Sequence, residues 1–529
     1  MEELANAPIL SIIIFLPLAA ALLLMLVEPG RTRFIKWFAF WASIVAFAFS
    51  FLLLLGNHDF AEFSHEEFYS WLPQIGVNYH LGVDGLSLWL ILLTTLLVPV
   101  SILSSFNAIK NREKEYYILL LILGAALVGT FAALDLILFF FFWEGVLIPM
   151  YLLIGIWGSG RRVYAATKFV LYTVVGSFFM LLAIIGLYVY THQVGRATFD
   201  FLELRTYIIP PELQTWLFLA FALAFAIKVP LFPFHTWLAD AHTEAPTAGS
   251  VLLAGVLLKM GSYGFIRFCL TLFPDASVHF APLIMGLAVV SIIYGAIVCA
   301  AQTDLKRLIA ISSVSHMGFV MLGIFALSGS PIGQVGATIQ MVNHGLATGA
   351  LFLLVGVIYE RRHTRELAEY GGLAAVMPRY YNVFLIVMLA SVGLPALNGF
   401  VGEFLILMGA MAVDWLFAGL ATFGVVLAAI YLLLMMKKMF HGECTNPRNL
   451  GLPDLNLREY VYLVPLVVLM FSIGLFPKPY LDVITPAADR VVRSIKNYLP
   501  ERLQVSRSGG KAVALLAELG AAQQEEDER

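Results

Sequence analysis

Charged side chains inside apolar stretches are the residues of this chain most suited to chemistry. The stretch LAFAIKVPLFPFHTWLADAHTEAP, residues 223–246, places the ammonium group of Lys228 two positions before a proline. A second lysine, Lys259, and two carboxylates, Glu144 and Glu403, fall within other apolar runs. A charge at the centre of a membrane costs about 2.5–3.5 kcal/mol on insertion scales, so such residues typically mark ion pathways or proton relays.

Imidazoles and a further carboxylate extend this set of buried groups. His316 in ISSVSHMGFV and His344 in MVNHGLATGA fall in adjacent predicted helices. Asp135 begins the predicted helix that contains Glu144, about 13.5 Å away along the axis and on the opposite face, so these two carboxylates cannot serve one site. A carboxylate beside a buried ammonium group stabilises its proton, and moving that carboxylate away releases it. The combination predicts a proton-exchange system.

Two other interpretations of these residues stay open. Buried ion pairs and core histidines can hold helices together, although that role needs a partner for each charge. The segment that contains His235, Asp240, His242 and Glu244 is rich in metal-ligand types, but it completes no recognised spacing such as HExxH. We expect a hydrated proton entrance or a loop hydrogen-bond network there, and no metal site.

The composition predicts that membrane helices position these groups. The chain is 60% apolar and 13% charged, whereas soluble domains carry about 25% charged residues. Its three cysteines, Cys269, Cys299 and Cys444, are far apart and form no CxxC pair, which argues against an iron–sulfur cluster or structural zinc. No glycine-rich nucleotide motif is present. We therefore expect any redox or nucleotide chemistry to belong to partner subunits.

The apolar runs predict an all-α polytopic protein with about fourteen membrane-spanning helices. Their expected bounds lie near 8–28, 33–55, 82–106, 114–133, 135–156, 163–190, 213–238, 246–272, 279–301, 306–327, 332–358, 380–411, 415–439 and 459–477. The seventh and twelfth contain proline or glycine beside Lys228 and Glu403, so we expect both to be discontinuous. Interruptions at matched positions indicate a repeated transporter fold with sites near the membrane midplane.

The distribution of basic residues predicts the orientation of the chain. Loops after odd-numbered helices contain 18 of the 32 lysines and arginines, and loops after even-numbered helices contain two. This asymmetry places the odd loops in the cytoplasm or its organellar equivalent, and both termini outside. The polar tail, residues 481–529, is an exception because the chain carries eight basic residues from Lys478 onward. Its stretch DVITPAADRVVRSIKNYL is too polar to span and is typical of an interfacial amphipathic helix.

Several long motifs resemble the antiporter-like subunits of respiratory complex I. They are YHLGVDGLSLWL, FFFFWEGVLIPMYLLIGIWG, AFAIKVPLFPFHTWLADAHTEAPTAGSVLLAGVLLKMGSYGFIRF, SSVSHMGFV, NHGLATGALFLLVG and LPALNGFVGEFLIL. The resemblance covers residues 1–480, an expected antiporter-like transmembrane domain. Glu403 favours the M branch, which includes mitochondrial chain 4, because the sister L and N branches and the multisubunit cation/proton antiporters usually carry lysine there.

The resemblance implies two inverted five-helix repeats, at about residues 114–272 and 279–439. It also implies a polar axis through the middle of the membrane. The residues of that axis are Glu144, Lys228, Lys259, His316, His344 and Glu403. By the family pattern Glu144 pairs with Lys228, and Lys168 tunes this pair. Asp135 is a further candidate site residue.

The resemblance also implies a function, a proton-translocating membrane-arm subunit of NADH:quinone oxidoreductase with no redox centre on this chain. FMN, iron–sulfur clusters, NADH and quinone would be bound elsewhere in that complex. The expected partners are the lipid bilayer and the sister subunits L and N on either side, and the expected location is a bacterial plasma membrane. Two alternatives stay open, a subunit of a multisubunit sodium/proton antiporter and a purely structural membrane module.

Overall fold

The chain forms a bundle of apolar helices with one β-hairpin at its side. The structure is a computed structural model that describes residues 7–55 and 59–499. The elements of its first half are α1 Ile9–Leu26, α2 Thr32–Ser50, β1 Ser64–Leu72, β2 Val77–Val83, α3 Leu88–Ser104, α4 Glu113–Ala132, α5 Leu136–Gly145, α6 Leu147–Trp157, α7 Arg162–Val194, α8 Pro211–Lys228 and α9 Thr236–Glu244. Those of its second half are α10 Thr247–Leu272, α11 Pro274–Ala300, α12 Leu305–Ile324, α13 Ile332–Arg362, α14 Pro378–Val392, α15 Asn398–Val413, α16 Trp415–Phe440, α17 Leu457–Leu475 and α18 Lys478–Ile495.

The structure confirms the predicted class, a polytopic helical membrane protein. Within the described residues, eleven helical spans are long and apolar enough to cross a membrane, and α3, α14 and α15 are shorter apolar helices. Helices occur at each of the predicted spans, but the number fourteen stays a prediction because the shorter helices do not meet the length criterion.

The two predicted helix interruptions are present. Helix α8 ends at Lys228, and α9 begins only at Thr236, after the segment with both prolines. Helix α14 ends at Val392, and the next residue, Gly393, has a φ of +83°, the left-handed conformation that ends many helices. Each interruption places helix ends inside the bundle, next to the charged residues that the sequence singled out.

Helix α10 is irregular around Lys259. Two π-helical segments, Leu253–Leu257 and Phe265–Cys269, lie on either side of this lysine within a span that is fully buried by the rest of the chain. Single π-helical turns interrupt α-helices most often at functional sites. The apolar pattern of the sequence contains no signal for them.

The expected spans at 33–55 and 82–106 leave residues 56–81 as a predicted loop, but most of the antiparallel hairpin of β1 and β2 lies there. The amphipathic helix α18 lies near it. The apolar side chains of α18 are buried against the bundle, namely Val483, Ile484, Ala487, Ala488, Val491, Val492 and Ile495. This face therefore packs on protein, and residues 500–529 of the predicted polar tail lie outside the described residues.

A buried ion cluster joins α18 to the bundle. Asp84, just after the hairpin, accepts two hydrogen bonds from the Arg267 guanidinium of α10, at 2.8 and 2.6 Å. Arg490 of α18 donates to the same carboxylate at 3.1 Å and to Glu62 at 2.7 Å. Burial acts to raise the pKa of Asp84, but Arg267 and Arg490 outweigh it and hold the pKa below its usual value. Asp84 is therefore the shared anion between two arginines.

The hairpin is held by a second buried pair, which makes its stability pH-dependent. His80 of β2 contacts the Asp200 carboxylate through Nδ1, and Glu66 lies 3.7 Å from its Nε2. Burial acts to lower the pKa of His80, but Asp200 and Glu66 outweigh it and raise the pKa above 6.5. The stabilisation is therefore complete below pH 6.5 and is lost as the pH rises through the higher folded-state pKa.

We expect the hairpin amides to exchange faster with deuterium as the pH is raised through this range. The measurement is hydrogen–deuterium exchange of residues 64–83 in the assembled complex, corrected for the intrinsic rate at each pH. The variant His80→Gln serves as the control because it cannot be charged. An identical pH dependence in this variant would show that His80 is not the titrating group.

Candidate proton pathway

The first buried charge cluster lies where α5 and α8 end. Lys228, the last residue of α8, is buried, and its Nζ lies 4.8 Å from the ring centroid of Trp143 and 5.9 Å from that of Phe169. Glu144 follows Trp143 and is half-buried. Neither a hydrogen bond nor an ion pair joins these two described residues, but the carboxylate is close enough to stabilise the ammonium charge. The ammonium group therefore rests on aromatic faces beside a carboxylate that does not hold it directly.

The break after Lys228 is itself hydrogen-bonded. The Trp237 indole of α9 donates to the Ile227 carbonyl at 2.8 Å, and the Leu231 amide donates to Ala226 at 2.8 Å. Protein groups thus satisfy carbonyls that an unbroken helix would pair, as irregular backbone within a membrane requires.

Lys168 lies beside this cluster and has a different partner. Its Nζ donates to Asp240 at 2.7 Å and to the Thr236 carbonyl at 3.2 Å. Both acceptors belong to α9, the second half of the interrupted helix. In this structure Lys168 therefore fixes α9, and its predicted tuning of the Glu144 pair stays a prediction.

The second cluster begins at Lys259 in the middle of α10. Its Nζ contacts the Ala254 carbonyl, which belongs to the π-helical segment, and lies 2.7 Å from Nδ1 of His344 on α13. All three residues are buried. The irregular helix thus supplies a backbone acceptor for the ammonium group at the point where the imidazole meets it.

The same cluster continues to Glu403. His316 of α12 lies 3.1 Å from the Glu403 carboxylate through Nδ1 and 3.4 Å from the Tyr431 hydroxyl through Nε2. Gln340, one turn before His344 on α13, donates to Glu403 at 3.1 Å. Glu403 therefore ends a buried chain of polar contacts beside the break between α14 and α15.

The two imidazoles connect the halves of this chain. The ring centroids of His316 and His344 are 5.8 Å apart. A cavity of about 10 Å³ beside them has space for roughly one water. It is lined by His316, Gln340, Asn343, His344, Ala347, Thr348, Ala390, Ser391 and Gly399. Lys259, His344, His316 and Glu403 thus form a path with one water-sized gap, and neutral histidine can accept a proton at one nitrogen while it donates from the other.

Asp135 does not join either cluster. Its carboxylate accepts hydrogen bonds from the amides of Ile137, Leu138 and Asn78, at 2.9, 3.2 and 2.9 Å. It caps the first turn of α5 and ties that turn to the hairpin. In this structure it fixes the start of α5, and its role as a site residue stays a prediction.

The four ligand-type residues of the interrupted helix also separate. His235 lies against Phe232 and Tyr294, Asp240 pairs with Lys168, and His242 stacks on a phenylalanine. Glu244 accepts a hydrogen bond from Ser159 at 3.1 Å. The described part of the chain contains no group of three or more side chains arranged to hold a metal ion.

Sequence reasoning missed the neutral members of the path. Gln340 precedes His344 by four residues and Asn343 by three, so helical spacing already places Gln340 beside both of them. Tyr431 reaches His316 from α16, 115 positions away in sequence, and no local pattern signals that contact.

Comparisons with known proteins agree with this geometry. The family described as "NADH:quinone oxidoreductase/Mrp antiporter, TM" matches residues 133–430, and "NADH-ubiquinone oxidoreductase chain 4, amino terminus" matches residues 10–130. NADH-quinone oxidoreductase subunit M of Rhodobacter capsulatus is 46% identical over 501 residues, which cover 92% of this chain and 96% of that protein.

Solved structures show the same fold. A chain of respiratory complex I from Thermus thermophilus with bound NADH superposes with a TM-score of 0.84 at 35% identity, covering 92% of this chain and 99% of that one. A chain of the Mrp complex from Dietzia sp. superposes with a TM-score of 0.80 at 21% identity, over 94% of this chain and 99% of that one, and this likeness shows the fold alone. The chain therefore belongs to the NADH:quinone oxidoreductase/Mrp antiporter family of membrane subunits, on the subunit M branch that the resemblance predicted.

Proposed function

We propose that this chain is a proton-translocating membrane-arm subunit of an NADH:quinone oxidoreductase. The observation that carries the proposal is the buried path from Lys259 through His344 and His316 to Glu403, which links an amine to a carboxylate through two imidazoles. Membrane-buried ionisable residues that form a connected series are typical of proton relays in pumps.

Glu144 and Lys228 act as the switch of this path. A carboxylate near Lys228 stabilises the ammonium form, and its withdrawal or protonation lets the lysine release a proton. The helices that contain Lys228 and Lys259 are close together, because α8 packs tightly on α10 just beyond Lys259. A Cβ at Gly261 would lie 2.7 Å from the Phe225 carbonyl oxygen, so only glycine allows this approach. We propose that Lys228 delivers its proton toward Lys259 across this contact.

The energy for transport comes from other subunits. We propose that FMN, iron–sulfur clusters, NADH and quinone are bound elsewhere in the complex, and that subunits of the L and N type flank this chain. Exposed apolar side chains along α7 and α16, such as Phe178 and Trp415, suit contact with lipid or with such neighbours. The proposed location is the plasma membrane of a bacterium.

A sodium/proton antiporter subunit is the second candidate, and the shared fold with the Mrp complex favours it. It predicts that sodium changes the rate of proton movement in the absence of quinone reduction. Proton movement in membrane vesicles without NADH, measured with and without sodium, separates the two functions.

The path predicts that Lys259→Met and Glu403→Gln each lower quinone reductase activity and proton uptake together by about tenfold. Each change removes one proton-carrying group and nearly preserves the side-chain volume. The measurement is NADH-driven quinone reduction and proton uptake in vesicles, after a native gel has confirmed assembly of the complex.

Asp414→Asn is the matched control for the carboxylate change, because Asp414 only caps α16 at an exposed position. We expect this control to retain full activity. Full quinone reductase activity and full proton uptake in both path variants would contradict the proposal and would favour a structural membrane module.

A further inference from the structure

A polar cavity lies at the end of the bundle where the basic loops gather. It has a volume of about 290 Å³, and we call it the vestibule. Its lining includes Ser159, Glu244, Thr247, Lys306, Tyr359 and Arg365. Three of these side chains are charged at neutral pH, the acidic Glu244 and the basic Lys306 and Arg365. The positive-inside rule places this end of the bundle on the cytoplasmic side.

Lys306 stands at the floor of the vestibule. It lies in the first turn of α12, it is 6% exposed, and its Nζ contacts the Ala245 carbonyl. Asp304, Glu244 and Arg365 are the charged groups around it. Asp304, the residue before α12, pairs with Arg365 at 3.1 Å.

His242 occupies the space between Lys306 and the path. It is fully buried, its ring stacks on Phe352 at 4.8 Å, and among the described residues neither of its nitrogens has a hydrogen-bond partner. The charged groups that act on it are Lys306 and Lys259. Buried polar groups are nearly always hydrogen-bonded, so an imidazole with two open nitrogens is an exception that suits a group which exchanges protons.

Contacts along helix α13 give the order of the vestibule, His242 and the buried path. His344 contacts Lys259. Phe352, on which the His242 ring stacks, lies eight residues or about 12 Å further along the helix axis. Gly356 lines the vestibule another turn along. The vestibule, Lys306, His242 and His344 therefore form a series from the end of the bundle to its centre.

We propose that Lys306 and His242 are the proton entrance of this chain and connect the vestibule to Lys259 and His344. The Lys306 amine takes a proton from a hydronium ion in the vestibule and leaves water behind. The proton then moves to one nitrogen of His242, and His242 releases a proton from its other nitrogen to the His344–Lys259 pair. This inference rests on the proposed function, because it needs a relay to supply.

Chemical rescue tests the entrance. We expect Lys306→Ala to lower quinone reductase activity of the assembled complex about tenfold, and methylammonium to restore it because the vestibule and the space left by the side chain can admit a small amine. Lys306→Arg should stay slow, because a guanidinium keeps the charge but does not give up its proton. Methylamine also dissipates pH gradients, so the rescue is read from the reductase rate against the unaltered chain in the same buffer.

Lys438→Ala is the matched control, because Lys438 is exposed at the same end of the bundle in the last turn of α16. Full activity of Lys306→Ala, or of Lys306→Arg, would overturn the proposed entrance. If Lys306→Ala does not assemble, His242→Gln takes its place, and full activity of that variant would overturn the entrance equally. If Lys259→Met loses activity and the entrance variants keep full activity, the entrance alone is refuted. If Lys259→Met and the entrance variants all keep full activity, the proposed function is refuted.

Discussion

Replacing Lys228 with methionine is expected to lower both quinone reduction and proton uptake of the assembled complex by about 100-fold. Lys228 is the cation that the half-buried Glu144 carboxylate acts on in the first cluster, and its amine rests on the Trp143 ring. Water can bridge a gap in the second cluster, which has several polar side chains, but a methionine beside Trp143 leaves an apolar plug. We therefore expect a larger loss here than at Lys259.

The measurement needs three readings from one preparation, namely assembly on a native gel, quinone reductase rate and proton uptake in vesicles. Methionine keeps the length and the apolar stem of lysine, so the change removes mainly the charge. Lys437→Met, an identical change at an exposed position of α16, controls for it. Full pumping by Lys228→Met in an intact complex would mean that Lys228 is structural.

The sequence predicted the charged members of both clusters because a charge in an apolar run is visible without a structure. Lys228 and Glu403 also stand beside proline or glycine, so their helix breaks were equally visible. Partners could not be predicted, since contacts such as that of Lys168 with Asp240 join residues 72 positions apart. Those contacts depend on how the helices pack, and single-sequence patterns carry no packing information.

Position near a helix end was a misleading signal. Arg267 lies where a long side chain could reach the membrane surface, but it is buried and paired with Asp84, 183 positions away. Lys306 is one of the 18 basic residues assigned to the loops after odd-numbered helices, but it is buried at the floor of the vestibule. In both cases the bundle covers the helix end, so depth along the helix does not decide exposure.

The hairpin was missed for a different reason. Strand β1 has one buried residue among nine, so it lacks the alternation of apolar and polar residues by which strands are recognised. Its register is fixed by pairing with β2 and by contacts such as that of His80 with Asp200. These constraints come from distant parts of the chain.

The second large effect is expected at Asp84. Replacing it with asparagine leaves the buried Arg267 guanidinium without its anion, and breaking a buried ion pair in this way costs about 3–5 kcal/mol. Arg490 of α18 loses the same partner, so the C-terminal helix loosens from the bundle. The expected result is a lower midpoint of thermal dissociation of the complex, together with less assembled complex in the membrane.

A double variant separates the ion pair from a general defect. Asp84→Asn combined with Arg267→Met removes both charges, so it should be less destabilising than the sum of the two single changes. Asp59→Asn, at an exposed position, is the control and should leave the midpoint unchanged. Additive losses in the double variant would show that the two charges do not stabilise each other. Sub-additive losses would establish Asp84 as the buried partner of Arg267, so that the residue just after the hairpin is the anion that holds the end of the Lys259 helix.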